Sequence, residues 1–187
     1  MTLVNRGLEV LSARIGEGTR RGAWCAGFVV AAVICAGTAA HAQLAPQWDY
    51  CTGSSGVDWN TQIRNCTTLI NSGRETRKNR SIAYINRGLA YYTLKNFDRA
   101  ISDYSEAIGL DGESKIAYHN RGLAYKNSGS LDAAISDYSR AIRIDSRYAS
   151  AYVARGNVYA IKGDQDRAIA DYDAAIRYDP EVLVDRL

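Results

Sequence analysis

The sequence is poor in the residues from which most catalytic and metal sites are built. Histidine occurs twice in 187 residues, at His41 and His119, so a histidine-ligated metal or a histidine-based triad lacks its parts. Two prolines exclude a proline-rich linker or a collagen-like chain. Neither a glycine-rich phosphate loop nor a Gly-x-Ser-x-Gly elbow occurs, and no cofactor is expected. Charge of one sign is scarce too. With 23 basic and 20 acidic side chains the net charge is +3, too small for a dedicated nucleic-acid binder. What is plentiful is apolar: 47% of residues are hydrophobic and 23% charged, the balance of a folded globular chain. These exclusions leave a chain of one-domain size, without an evident enzyme centre, whose work is binding.

The first forty-two residues read as an address. Arg20 and Arg21 precede an uncharged stretch from Gly22 to Ala40, apolar from Ala23 to Cys35, and Ala40-His41-Ala42 follows. Basic flank, apolar segment and small-x-small site predict a secretory signal peptide cleaved after Ala42, and a periplasmic or secreted mature protein. An uncleaved anchor is the alternative, since the segment approaches the roughly 17 residues a span needs; only then would the chain touch a membrane. Ile34 before Cys35 and Trp24 before Cys25 do not fit a lipoprotein signal, and Gly22-Ala23-Trp24 departs from the usual twin-arginine continuation. The leader is long and carries Glu9 and Glu17, which leaves a downstream start codon open. Its loss removes four arginines and two glutamates, lowering the net charge from +3 to +1.

From Ala83 the chain repeats with a period of 34 and no gap. Blocks begin at Ala83, Ala117 and Ala151, giving units 83–116, 117–150 and 151–184 after an N-terminal extension, 43–82. In each, two apolar sets at helical spacing flank a short polar turn, as with Ala83, Tyr84, Arg87, Gly88, Tyr91 and then Ala100, Ile101, Tyr104, Ala107, Ile108. A turn of a few residues forces the two helices to be antiparallel neighbours. Gly88 with Ala100, Gly122 with Ala134 and Gly156 with Ala168 are expected where the paired helices cross. Arg87, Arg121 and Arg155 each precede an aspartate by sixteen residues (Asp103, Asp137, Asp171), which predicts an ion pair within or between repeats, with a ladder gripping a partner's carboxylates as the rival.

The recurring Tyr84/118/152, Gly88/122/156, Tyr91/125/159, Ala100/134/168, Tyr104/138/172 and Ala107/141/175, with the closing Pro180, resemble the tetratricopeptide-repeat family. Two departures stand out. Arginine replaces the usual leucine before glycine, and Gly112 and Ser146 stand where the first two repeats would close on proline. The resemblance, to an exported bacterial member, implies an all-α fold: a right-handed α-α superhelix of three repeats with an N-terminal capping helix.

It also implies a concave groove lined by the first helices, which would take Ile82, Ile85, Asn86, Leu89 and Tyr92 from the first repeat. The second would give His119, Asn120, Leu123, Lys126 and Asn127, and the third Val153, Asn157, Ala160 and Ile161. Asn86, Asn120 and Asn157 are the sharper candidates, because a carboxamide can both donate to and accept from a peptide backbone; bonding within their own helix pairs is the alternative. The set mixes apolar and polar groups and lacks a basic cluster, which favours an apolar or mixed peptide.

The ends carry separate expectations. Asp58 and Gly73 bracket an amphipathic stretch, and Asn65–Ile70 can be laid on Asp103–Ile108, so 58–72 reads as the second helix of a degenerate half repeat. Cys51 and Cys66, the two cysteines outside the leader, are expected to form a structural disulfide in an exported chain; a redox pair is the rival. Arg74–Arg80 reads as a solvated basic connector or a small anion-facing patch. At the other end Val182, Leu183, Val184 and Leu187 would be largely exposed in a monomer, and this end is expected to meet a second copy or a partner. The functional expectation is a protein–protein interaction scaffold of the cell envelope. Self-assembly through the C-terminal end, or a small carboxylate enzyme, are the alternatives.

Overall fold

A computed structural model describes residues 45–54 and 56–182. The signal-peptide expectation, and those for Leu183, Val184 and Leu187, lie outside the described residues. Among them are eight helices and no strand: α1 (Ala45–Cys51), α2 (Trp59–Asn71), α3 (Arg77–Thr93), α4 (Phe97–Leu110), α5 (Lys115–Asn127), α6 (Leu131–Ile144), α7 (Ala149–Ile161) and α8 (Gln165–Tyr178). The all-α expectation holds.

Local chemistry fixes the helix ends. Asp58 accepts from the N–H groups of Asn60 and Thr61, Thr76 from Asn79, Asn96 from Arg99, Ser114 from Ala117 and Asp164 from Arg167. Each bond satisfies an N–H that has no partner inside its helix. The turn inside each repeat needs one residue in the left-handed region, filled by Gly129 (φ 87°) and Gly163 (φ 79°) but by Lys95 (φ 59°) in the first repeat. Glycine has no Cβ to clash there.

The helices pack as three hairpins, α3–α4, α5–α6 and α7–α8, each stacked on the next, with α1–α2 covering the first. The close approach within each hairpin falls at the expected glycines, and at Gly156 the Ala168 carbonyl would stand 3.2 Å from an added Cβ. A Cβ on Gly88 would stand 2.7 Å from Cε1 of Tyr104, one on Gly122 2.7 Å from Tyr138, and one on Gly156 2.8 Å from Tyr172. The nearest neighbour of each glycine is thus a tyrosine ring, and the alanines seal the surrounding core, where Ala100, Ala134 and Ala168 are buried. Between hairpins, Ile101 packs with Ala124 of α5, and Ile135 with Ala154 and Val158 of α7.

The N-terminal segment is more ordered than a tethered strand. α1 lies against α2, and the Cys51–Cys66 disulfide joins them with a Cα–Cα distance of 4.8 Å. Cys66 corresponds to Tyr104, so the covalent bridge occupies the place where the full repeats set tyrosine on glycine. Gln62 Nε2 donates to the carbonyls of Cys51 (3.0 Å) and Asn86 (3.3 Å), tying the cap to the first repeat.

The basic stretch is not a free connector. Arg77–Arg80 form the first turn of α3, and Thr76 caps it. Glu75 accepts from Trp48 Nε1 at 3.0 Å and from Asn79 Nδ2 at 2.8 Å, while Arg77 donates to the carbonyls of Gly109 and Leu110 at the end of α4. A cation suits a helix C-terminus because the last carbonyls there are unpaired.

Candidate functional site

Two sets of polar residues recur along the stack, and they sit differently. The first is the arginine series. Arg87 grips Asp103 through Nε and Nη2 (2.8 and 2.7 Å), Arg121 grips Asp137 (2.8 and 2.9 Å), and Arg155 grips Asp171 (2.8 and 2.7 Å). The remaining Nη1 of each arginine reaches back one hairpin to a hydroxyl at 2.9 Å: Thr67, Ser105 and Ser139. One guanidinium therefore closes its own hairpin and fastens it to the one before. The arginine side chains are 17–19% exposed and the aspartates 6–8%. Each guanidinium also lies over a tyrosine ring of its own helix, 5.4–5.7 Å from the centroids of Tyr84, Tyr118 and Tyr152. The aspartate bonds hold all three guanidiniums more firmly protonated than usual, against the opposing effect of burial. These groups are engaged internally. Sequence reasoning reached the arginine–aspartate pairing but missed the hydroxyls, although Ser105 and Ser139 are themselves 34 residues apart.

The second set is the face of the first helices. α3 touches α5 and α5 touches α7, as α1 touches α3, whereas the second helices make no comparable approach to one another. The stack therefore curves toward the first helices. On that side Ile82, Ile85, Tyr92, Leu123, Lys126, Asn157 and Ala160 are half-buried, and Asn127 and Ile161 are exposed. Asn127 Nδ2 donates to the Tyr92 hydroxyl at 2.5 Å, which joins the first two repeats across the face. Burial pushes the Tyr92 phenol above its ordinary value, and the bond from Asn127 acts the other way.

The other candidates lie deeper. Val153 is 1% exposed and packs with Ala149 and Ala175. Leu89, Asn86, Asn120 and His119 are buried, the last with its ring 5.3 Å from that of Tyr148 and 5.6 Å from that of Tyr138. The three asparagines do not behave alike. Asn157 Oδ1 accepts from Tyr172 within its own hairpin at 2.8 Å. Asn86 accepts from Gln62 through its backbone, and its side-chain Nδ2 has no partner among the described residues.

Val182 is half-buried against the Ala149, Val153 and Ala175 cluster. Two open depressions, about 430 and 350 Å³, lie elsewhere, at the turns Lys162–Asp166 and Leu94–Asp98. Among the described residues no group of three or more His, Cys, Asp or Glu could hold a metal ion, and no helix is long and apolar enough to cross a membrane.

Family models described as tetratricopeptide repeat match residues 81–114 and 149–182, and one described as TPR repeat matches 125–163. Among solved structures, the crystal structure of MamA aligns over 70% of this chain and 74% of that one, with 26% identity and a TM-score of 0.62. The TPR domain of Arabidopsis OM64 aligns over 59% and 92%, with 27% identity and a TM-score of 0.57. The second TPR of Spaghetti (RPAP3), solved with the HSP90 peptide SRMEEVD, aligns over 55% and 94%, with 26% identity and a TM-score of 0.53. No curated protein matches the sequence.

Proposed function

Since the chain belongs to the tetratricopeptide-repeat family and is a protein–protein interaction scaffold, we propose that it holds a segment of a partner protein in the hollow of its first helices, in the cell envelope. The observation that carries this reading is the direct approach of α3, α5 and α7 to one another, which makes theirs the inner side of the curve. The RPAP3 domain, of similar fold, was solved with a peptide bound, which supports the same use here.

The chemistry of the face selects the partner. All three arginines of the repeat series are committed to aspartates, so the face is mainly apolar and polar, with Ile82, Ile85 and Tyr92 half-buried on it, rather than a cluster of cations. An apolar or mixed segment suits it better than an acidic terminus. The envelope assignment is supported by the leader-like residues 1–42 and by the Cys51–Cys66 bridge, since disulfides persist in oxidising compartments.

The test places a photo-crosslinking residue at Lys126, and separately at Glu106 on an exposed second-helix position, in cells producing the full chain. The crosslinked segment is then identified by mass spectrometry and its affinity measured. The reading expects a crosslink from position 126 and at least tenfold weaker binding of that segment in Ile161→Glu, whose position is exposed. Crosslinks from position 106 alone, or an unchanged affinity in Ile161→Glu, refute it.

A further inference from the structure

The second helices of successive hairpins present the same outer face, and in each described case but the last a first helix covers it. Ile101 is covered by α5, Ile135 and Ile142 by α7. One period on, Ile169 and Ile176 of α8 are 56% and 44% exposed. The polar register continues as well. Thr67, Ser105 and Ser139 each accept the Nη1 of the following arginine. The residue 34 positions after Ser139 is Asp173, exposed on α8. A neutral hydroxyl has become a carboxylate only on the face that no described helix covers. The chain keeps the repeat's path beyond α8: Val182 stands 34 residues after Tyr148 and, as Tyr148 does for its own repeat, packs against the preceding hairpin.

We propose that the outer face of α8 is a docking site for an arginine-bearing amphipathic helix of another protein, one that resembles the first helix of a repeat. Such a helix would lay small and aromatic side chains over Ile169 and Ile176 and set its guanidinium on Asp173, extending the stack by one element. Two features argue for this occupant. The site continues an interface already used three times in the molecule. Of the residues that pack at the α6–α7 interface, Leu131 and Ser139 become Gln165 and Asp173 on α8; the second change sets a negative charge where an arginine belongs, and a guanidinium–carboxylate pair is stronger than a guanidinium–hydroxyl bond. The chain's own three arginines of this type are already bound to aspartates, so none of the three supplies this guanidinium. This face lies at the end of the stack and is distinct from the concave side, so its failure would leave the groove reading untouched.

The test uses the full chain and a capped, fluorescent peptide of residues 115–127, KIAYHNRGLAYKN, as a surrogate first helix. Fluorescence anisotropy should show saturable binding, weakened at least tenfold by Asp173→Lys in the protein, and equally by Arg121→Ala in the peptide. The two changes together should cost no more than either alone, and Ile169→Asp should abolish binding. Both protein positions are exposed, so the variants should keep the wild-type circular dichroism. Ile161→Glu, at an exposed position on the concave side, should leave the affinity unchanged. Absence of saturable binding, indifference to Asp173→Lys, or loss through Ile161→Glu would each overturn the proposal. So would binding that appears only when residues 183–187 are deleted, which would give the face to the chain's own tail. A concentration-dependent dimer dissolved by Asp173→Lys would give it to a second copy, with the same consequence.

Discussion

Replacing Arg121 with leucine, the residue the family usually carries before the glycine, should destabilise this protein rather than restore a consensus. Asp137 is 5% exposed, and in the described structure Arg121 supplies both bonds to its carboxylate, at 2.8 and 2.9 Å. Leucine would leave that carboxylate in the core without a donor and would also release Ser105. Breaking a buried pair from one side costs about 3–5 kcal/mol. Arg121 retains 18% side-chain exposure, so water can reach the vacated place, and the lower end, about 3 kcal/mol, is expected. The reciprocal Asp137→Leu should cost a similar amount. The double variant, with neither charge present, should lie within about 1 kcal/mol of wild type, because an apolar pair can replace an ionic one. Urea unfolding followed by circular dichroism reads all four proteins, with slopes compared to confirm that the same surface is exposed. If Arg121→Leu lies within 1 kcal/mol of wild type, or the two single losses simply add, the ladder does not hold the hairpins together.

Four further outcomes are expected. Gly122→Ala should lower the urea midpoint despite alanine's helical preference of about 1 kcal/mol, because its Cβ would stand 2.7 Å from the Tyr138 ring; Gly109→Ala, with nothing within 4 Å, should raise it. Lys95→Gly should stabilise by about 0.5–1 kcal/mol, since Lys95 holds φ 59° where the later repeats carry glycine; an unchanged midpoint would show that the turn bears no strain. Reduction of Cys51–Cys66 should cost about 3 kcal/mol, by the chain-entropy estimate for a loop of this size, and should raise hydrogen exchange first in α1. The Asp145 carboxyl lies below its ordinary 3.8, chiefly through the bond from Lys115 and then the Arg147 N–H. A depressed carboxyl contributes stability above its unfolded value that disappears as pH falls through the folded one, so Asp145→Asn should narrow the gap between midpoints at pH 6 and pH 2.5.

The number, length and order of the hairpins were legible in the chain because they follow from local spacing. Helical periodicity, a short polar turn of two or three residues and a period of 34 are all properties of local sequence. The sixteen-residue step from arginine to aspartate belongs to the same class, since a short turn leaves only one way for the two helices to meet. The groove was legible only as a list of positions on the first helices. Nothing in one repeat shows how it meets the next, and only the stack separates half-buried Ile85 from Val153, its equivalent two repeats on, which is 1% exposed. It likewise sets Asn127 against Tyr92, thirty-five residues away.

The sequence by itself determined the helices of the three repeats and their pairing into hairpins, while the helix Ala45–Cys51 did not show in it. The tertiary structure alone decided what lies between hairpins: hydroxyls joining one arginine to the hairpin before it, and Asn127 set against Tyr92. Arg87 shows the reason. Its hydroxyl, Thr67, lies twenty residues back, whereas those of Arg121 and Arg155 lie sixteen back. The longer connector changes the count along the chain and leaves the distance in space at 2.9 Å. Contacts between stacked units are fixed by packing geometry, and packing geometry is not a function of sequence separation.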